Sequence, residues 1–121
     1  MKVPTDDFLI TMAWCFLVTI LVETAVLLVG LSRRHSVAVR LFAGIWLTSC
    51  TFPVVWLVLP PLFADRARYL LAAETFAPLT ECLLFWLAFL KGRSFDGLLV
   101  RDMIAIVAAN LASFLVGEWI W

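Results

Sequence analysis

The sequence lacks any polar stretch long enough for a water-soluble domain. Its 121 residues carry nine basic and nine acidic side chains, which gives a formal net charge of zero. A balanced charge provides no basic face of the kind that binds nucleic acid, so we expect no nucleic-acid partner. Hydrophobic residues make up 64% of the chain, against roughly 45–50% in a soluble domain. The composition therefore predicts one polytopic transmembrane domain over residues 1–121, with the lipid bilayer as its surroundings.

Histidine is nearly absent, since the only one is His35, in a connection between two apolar runs. A haem held by two membrane-embedded histidines is therefore excluded, and so is the di-iron pattern of Glu with Glu-x-x-His. The three cysteines are odd in number and have no metal-ligand spacing, which argues against a disulfide framework. We predict no metal site and no cofactor.

Common catalytic motifs are also lacking. The chain contains no CxxC, HExxH or GxSxG pattern and no glycine-rich loop that would cradle a phosphate. Any catalysis would rest on acids, hydroxyls and one carboxamide, and these can do acid–base work without specifying a reaction. The absence of these motifs weighs against an enzyme.

What the chain does have is four apolar runs of spanning length, since a helix needs roughly 20 residues to cross a bilayer. We predict an all-α membrane protein, an antiparallel four-helix transmembrane bundle, with helices over about 8–31, 37–59, 69–90 and 98–121. The antiparallel order is expected because the connections SRRHS, PPLFADRAR and KGRSFDG are short.

The distribution of basic residues predicts the orientation in a cytoplasmic-type membrane. The first and third connections and the adjoining helix ends hold six of them: Arg33, Arg34, Arg40, Lys91, Arg93 and Arg101. The opposite side holds three: Lys2, Arg66 and Arg68. Because basic loops stay in the cytoplasm, we expect both termini outside and the Arg-rich loops inside.

Polar side chains recur at membrane depth. Glu74 and Glu81 are seven positions apart, two helical turns, so they project from nearly the same face. Prolines on two helices, Pro53 and Pro78, each free a backbone carbonyl near such polar residues. The depths along the four helices predict one polar intramembrane cluster of Glu23, Thr48, Thr51, Glu74, Glu81, Asn110 and Ser113.

Depth also suggests partners for two of these acids. Arg40 is a candidate partner of Glu23, and Glu118 could meet Glu74 near the outer end. On the fourth helix Ala105, Ala109, Ser113 and Gly117 form a stripe of small residues. Small residues allow helices to approach closely, so this stripe is predicted to pack against another helix.

Three functions fit these patterns. Ionisable groups within a span are costly and often mark ion or proton pathways, which favours a transport or ion/proton-translocating protein or subunit. Because four helices enclose little space, it is expected to act as a homo-oligomer or with another membrane-protein subunit. The first alternative is a non-catalytic assembly or accessory subunit whose polar residues hold it to a larger membrane complex. The second is an intramembrane enzyme that acts on a lipid or quinone through its carboxylates.

Overall fold

The computed structural model describes residues 6–120. Within this range the protein is helical and has four helices long and apolar enough to cross a membrane, which confirms the predicted all-α membrane class. The helices are α1 (Asp6–Gly30), α2 (Val37–Pro53), α3 (Arg66–Phe85) and α4 (Gly97–Ile120). Trp121, placed at the end of the fourth predicted helix, lies outside the described residues.

Two of the helices end in wider, π-helical turns. α2 continues as Val54–Val58 directly after Pro53, which cannot donate a backbone hydrogen bond. The amide of Leu59 then donates to the carbonyl of Val54 at 2.9 Å. α3 continues in the same way as Trp86–Leu90. With these turns the second and third spans end within a residue of the predicted positions.

Each connection ends in a residue that caps the next helix. The side chains of Ser36, Asp65 and Asp96 accept from backbone amides three residues ahead, at 3.1, 2.7 and 2.8 Å. Such caps satisfy amides that have no partner within the helix. The cap at Asp65 starts α3 at Arg66, three residues before the predicted start at position 69. The prediction was late because hydropathy assigns the arginines of this first turn to the loop.

The helices pack as a closed ring in which α1 and α3 each contact both α2 and α4. Two glycines bring α1 close to its neighbours. A Cβ atom on Gly44 of α2 would lie 2.8 Å from the Cα atom of Thr24, and one on Gly30 would lie 3.0 Å from the Cβ of Ala105 in α4. Close approach of this kind is the usual role of small residues between membrane helices.

The apolar residues divide between an inner core and an outer surface. The core lies towards the end of the bundle that holds the first and third connections and includes Leu27, Leu31, Leu47, Phe85, Leu90 and Ile106. Large apolar side chains also point outward from every helix, among them Leu21, Phe42, Leu71 and Ile104. An outer surface this apolar suits hydrocarbon, in agreement with four membrane spans.

Candidate functional site

The carboxyl group of Glu23 joins three helices. It is 3% exposed. The hydroxyl of Thr48 on α2 donates to its Oε2 atom at 2.5 Å, and the hydroxyl of Ser113 on α4 donates to its Oε1 atom at 2.9 Å. Because α1 supplies the acid and its two neighbours supply the donors, this group holds three of the four helices together.

A second carboxyl group, that of Glu81 on α3, lies beside the first. It is 2% exposed, and the hydroxyl of Thr51 lies 3.3 Å from its Oε2 atom. The side chain of Asn110 interacts with the same carboxyl and donates to the carbonyl of Ile106 at 3.0 Å. Glu81 and Glu23 are close enough to interact electrostatically. The two acids and their donors therefore involve all four helices.

The described part of the chain provides no cationic partner for these acids. Within residues 6–120, no Lys, Arg or His side chain forms an ion pair with Glu23, Glu74 or Glu81. The charge of an ionised carboxylate is costly at membrane depth unless a cation or a proton compensates it. The hydroxyl and carboxamide donors supply hydrogen bonds but no positive charge.

A cavity of about 310 Å³ leads from one end of the bundle to Glu23. Two exposed lining side chains, Arg66 and Glu118, form an ion pair of 2.6 Å, and we call this end of the cavity its mouth. Glu74 lies on its wall. Its inner end is lined by Glu23, Thr48, Thr51, Asn110 and Ser113. We call it the acidic cavity, because three of its lining side chains are carboxyls and one is basic.

One wall of the acidic cavity is a single stripe of α1. Thr11, Cys15, Thr19 and Glu23 recur every four residues and all line the cavity. Residues four apart lie on the same helix face. The sequence prediction included only the last member, although the spacing of the three preceding polar or small residues marks the whole stripe.

The opposite end of the bundle is closed around Asp102, which is fully buried. Its Oδ1 atom accepts from the backbone amide of Ser32 at 2.7 Å, and its Oδ2 atom accepts from Arg34 at 3.1 Å. The Nε2 atom of His35 lies 2.9 Å from the same Oδ2 atom. We call these four residues the Asp102 cluster, and it fastens the first connection to α4.

Two arginines beside this cluster bind the end of α1. Arg40 donates to the carbonyl of Leu28 at 2.6 Å, and Arg101 donates to the carbonyl of Gly30 at 3.1 Å. Carbonyls in the last turn of a helix have no partner within it and attract positive charge. The partner of Arg40 is therefore the main chain of α1, and not Glu23 as predicted, because Arg40 lies level with the end of that helix.

Glu118 also has a partner that the sequence prediction did not include. Glu118 forms its ion pair with Arg66, the residue that the predicted helix boundary left in the loop. Glu74 lies along the same cavity, and the two carboxyls interact electrostatically without a shared cation.

The predicted small-residue stripe of α4 divides into two parts. Ala105 and Ala109 are buried, and the first of them faces Gly30 of α1. Ser113 donates to Glu23 and also lines the acidic cavity, as does Gly117. A Cβ atom on Gly117 would have no neighbour within 4 Å. The first half of the stripe thus serves close packing, and the second half leaves space.

No family model, curated protein or solved structure matches this chain. Among residues 6–120, no group of three or more His, Cys, Asp and Glu side chains is arranged to hold a metal ion. The function is therefore argued from the acidic cavity and the Asp102 cluster.

Proposed function

We propose that this protein is a small membrane transporter that moves a cation or a proton, with the acidic cavity as its binding site. The observation that carries the proposal is the course of this cavity. It enters the bundle at one end and stops at a carboxyl group that has no cationic partner among the described residues. Buried acids of this kind are typical of ion and proton pathways.

Contacts at one end of the bundle support an antiparallel arrangement. The rings of Phe8 and Trp56 are 5.9 Å apart, so the start of α1 meets the end of the second span. The hydroxyl of Tyr69 donates to the carbonyl of Val55 at 2.8 Å, which adds the start of α3. The ion pair between Arg66 and Glu118 brings in the end of α4.

The basic residues give this antiparallel bundle a direction in the membrane. The Asp102 cluster belongs to the end with most of the arginines, so the positive-inside rule assigns it to the cytoplasm. The mouth of the acidic cavity, between Arg66 and Glu118, is then outside. In this orientation the binding site is accessible from outside and shut from inside.

An apolar layer separates the two ends. Leu27, Leu47, Phe85 and Ile106 are each at most 2% exposed and belong to all four helices. Beyond them lies the buried Asp102 with its partners. Transport requires this barrier to open while the outer mouth closes, and such changes of access are helix movements around a fixed site. Residues from all four spans line the acidic cavity.

The experiment that tests the proposal is flux into liposomes that contain the purified protein. A pH-sensitive dye and a tracer cation inside the vesicles report proton and cation movement separately. We expect flux above that of empty vesicles, and at least a tenfold loss in Glu23→Gln and Glu74→Gln. The second variant matters because Glu74 holds no helix in place by a hydrogen bond, so its loss of flux would not reflect misfolding.

The matched control is Asp65→Asn. Asp65 is an exposed carboxyl outside the cavity, and asparagine caps a helix about as well as aspartate. We expect flux in this variant to match that of the unmodified protein. Flux no greater than in empty vesicles would overturn the transport function, and so would flux in both glutamine variants equal to that of the unmodified protein.

A further inference from the structure

The volume, the lining and the charge of the acidic cavity indicate the kind of cation that it binds. We infer that its ligand is an organic cation with an apolar body, held between the carboxyl groups of Glu23 and Glu74 and a wall of aromatic rings. This inference deepens the proposed function, because it concerns the same site. It is tested by binding alone, so it can stand or fall apart from transport.

The volume of the acidic cavity suits a small organic molecule. A cavity of about 310 Å³ holds roughly ten water molecules, since each occupies about 30 Å³ in the liquid. This volume is at the lower end of the range of about 300–1,000 Å³ that is typical of small-molecule sites. A bare inorganic ion would leave most of the space to water, whereas a small organic molecule fills it.

Aromatic side chains form part of the lining of the acidic cavity. Four aromatic side chains face the cavity: Phe52, Trp56, Tyr69 and Phe114. The rings of Phe52 and Trp56 stack at a centroid distance of 5.4 Å, and the hydroxyl of Tyr69 is fixed to the carbonyl of Val55. These rings are thus held in place by packing. A preformed aromatic wall provides apolar contact, and its ring faces attract a cation.

The charged side chains that line the acidic cavity favour a cationic ligand. Among the described residues, Arg66 is the only basic side chain of the lining, and its guanidinium group forms an ion pair with Glu118 at the mouth. No hydrogen-bond or ion-pair partner of the Glu74 carboxyl is found within residues 6–120. Deeper in the cavity, Glu23 receives hydroxyl donors only. A ligand that brings one positive charge supplies what this site lacks.

The volume, lining and charge of the cavity disfavour two other ligand classes. A neutral apolar molecule would fit the rings but leave the charge of the carboxyls uncompensated. An anion would be repelled by Glu23 and Glu74. An organic ammonium ion meets both demands, because its charge faces the acids and its hydrocarbon part faces Trp56 and Tyr69.

The test is isothermal titration calorimetry of the detergent-purified protein with benzyltrimethylammonium. Its uncharged carbon isostere, neopentylbenzene, has the same shape without the charge, and sodium ions have the charge without the apolar body. We expect the ammonium ion to bind at least tenfold more tightly than either. We also expect Glu74→Gln to weaken this binding at least tenfold and Trp56→Leu to weaken it about fivefold. Trp119→Leu is the matched control, because Trp119 is 87% exposed and lies outside the cavity.

A second variant tests the volume independently of the charge. Gly117 lines the cavity, and a side chain there meets no atom within 4 Å of its Cβ. Gly117→Leu is therefore expected to fold normally and fill part of the space. It should weaken benzyltrimethylammonium binding at least tenfold while changing the binding of the smaller tetramethylammonium ion less than threefold.

Each outcome has a definite reading. Equal affinity for the isostere and the ammonium ion would refute the requirement for a positive charge. Equal affinity for sodium and the ammonium ion would refute the requirement for an apolar body. No binding of benzyltrimethylammonium by the folded protein would refute the inference as a whole, even if proton flux persisted. Charge-selective binding without flux would support the inference and overturn the transport function instead.

Discussion

Ser113 and Glu23 are 90 positions apart in the chain, yet the hydroxyl of the first donates to the carboxyl of the second at 2.9 Å. Thr48 binds the other oxygen of the same carboxyl from α2. The inner end of the acidic cavity is therefore also a structural joint between helices. Variants in this region affect stability and binding together, so each prediction below is paired with a control of similar chemistry.

Thr48→Val removes the hydroxyl that donates to Glu23 and keeps the shape of the side chain. We expect the free energy of unfolding to fall by about 1 kcal/mol, the usual scale of a hydrogen bond between membrane helices. Thr75→Val is the control, because the exposed hydroxyl of Thr75 binds only the carbonyl of Leu71 in its own helix. Unfolding in mixed detergent micelles, followed by circular dichroism, measures both. Equal stability of the two variants would contradict a structural role for the Thr48 hydrogen bond.

Asp102→Asn removes the negative charge at the centre of the Asp102 cluster. We expect a loss of about 3 kcal/mol in the free energy of unfolding, because Arg34 keeps a partly buried charge without its buried partner. The control is Asp96→Asn, which removes an exposed carboxylate 3.6 Å from the same arginine and preserves a helix cap. Its cost should stay below about 1 kcal/mol. Thermal unfolding in detergent distinguishes the two variants. Similar decreases in melting temperature would show that the buried carboxylate contributes no more to stability than the exposed one.

Gly44→Ala places a methyl group against the main chain of Thr24. We expect α1 and α2 to separate slightly, at a cost of about 1–3 kcal/mol, the usual penalty of overpacking. Gly117→Ala makes the same chemical change where a Cβ has no neighbour within 4 Å, and alanine favours a helix over glycine by about 1 kcal/mol. That variant should be as stable as the unmodified protein or more stable. The prediction fails if Gly44→Ala is tolerated equally well in the same unfolding assay.

Orientation is tested by single cysteines in a protein whose three native cysteines have been replaced. Ser94→Cys lies in the exposed third connection, and Ala64→Cys lies in the exposed second connection. With the Arg-rich loops in the cytoplasm, a membrane-impermeant maleimide added to intact cells should label the cysteine at position 64 and leave that at position 94 unlabelled. Labelling of position 94 alone would contradict the predicted orientation. It would show that the protein lies the other way round, with the acidic cavity open to the cytoplasm.

The four spans could be predicted from hydropathy because crossing a bilayer demands long apolar runs, and the chain has four. The start of α3 could not, since it depends on the cap at Asp65 and not on hydrophobicity. Matching depths along the chain placed Glu23, Thr48 and Ser113 in one predicted cluster but did not pair them, and the structure shows that both hydroxyls donate to the acid. It failed for Arg40, because depth does not reveal that a backbone carbonyl competes with a carboxylate for a guanidinium group.

The Asp102 cluster shows a second limit of sequence reasoning. Asp102 follows Arg101 near the start of an apolar run, a position typical of a residue exposed at the membrane surface. Its partners Ser32, Arg34 and His35 are 67 to 70 positions away. Only the packing of α4 beside the first connection turns these residues into one buried group.

The hydrogen bond from Arg40 to the carbonyl of Leu28 spans only 12 positions of the chain. The helices α1 and α2 are therefore joined by a contact of their own before α3 and α4 are synthesised. Asp102 belongs to α4, so the first connection receives its buried carboxylate only after the chain has been synthesised as far as this helix. The end of α1 is thus held first from within the first two helices and the connection after it is held later from α4.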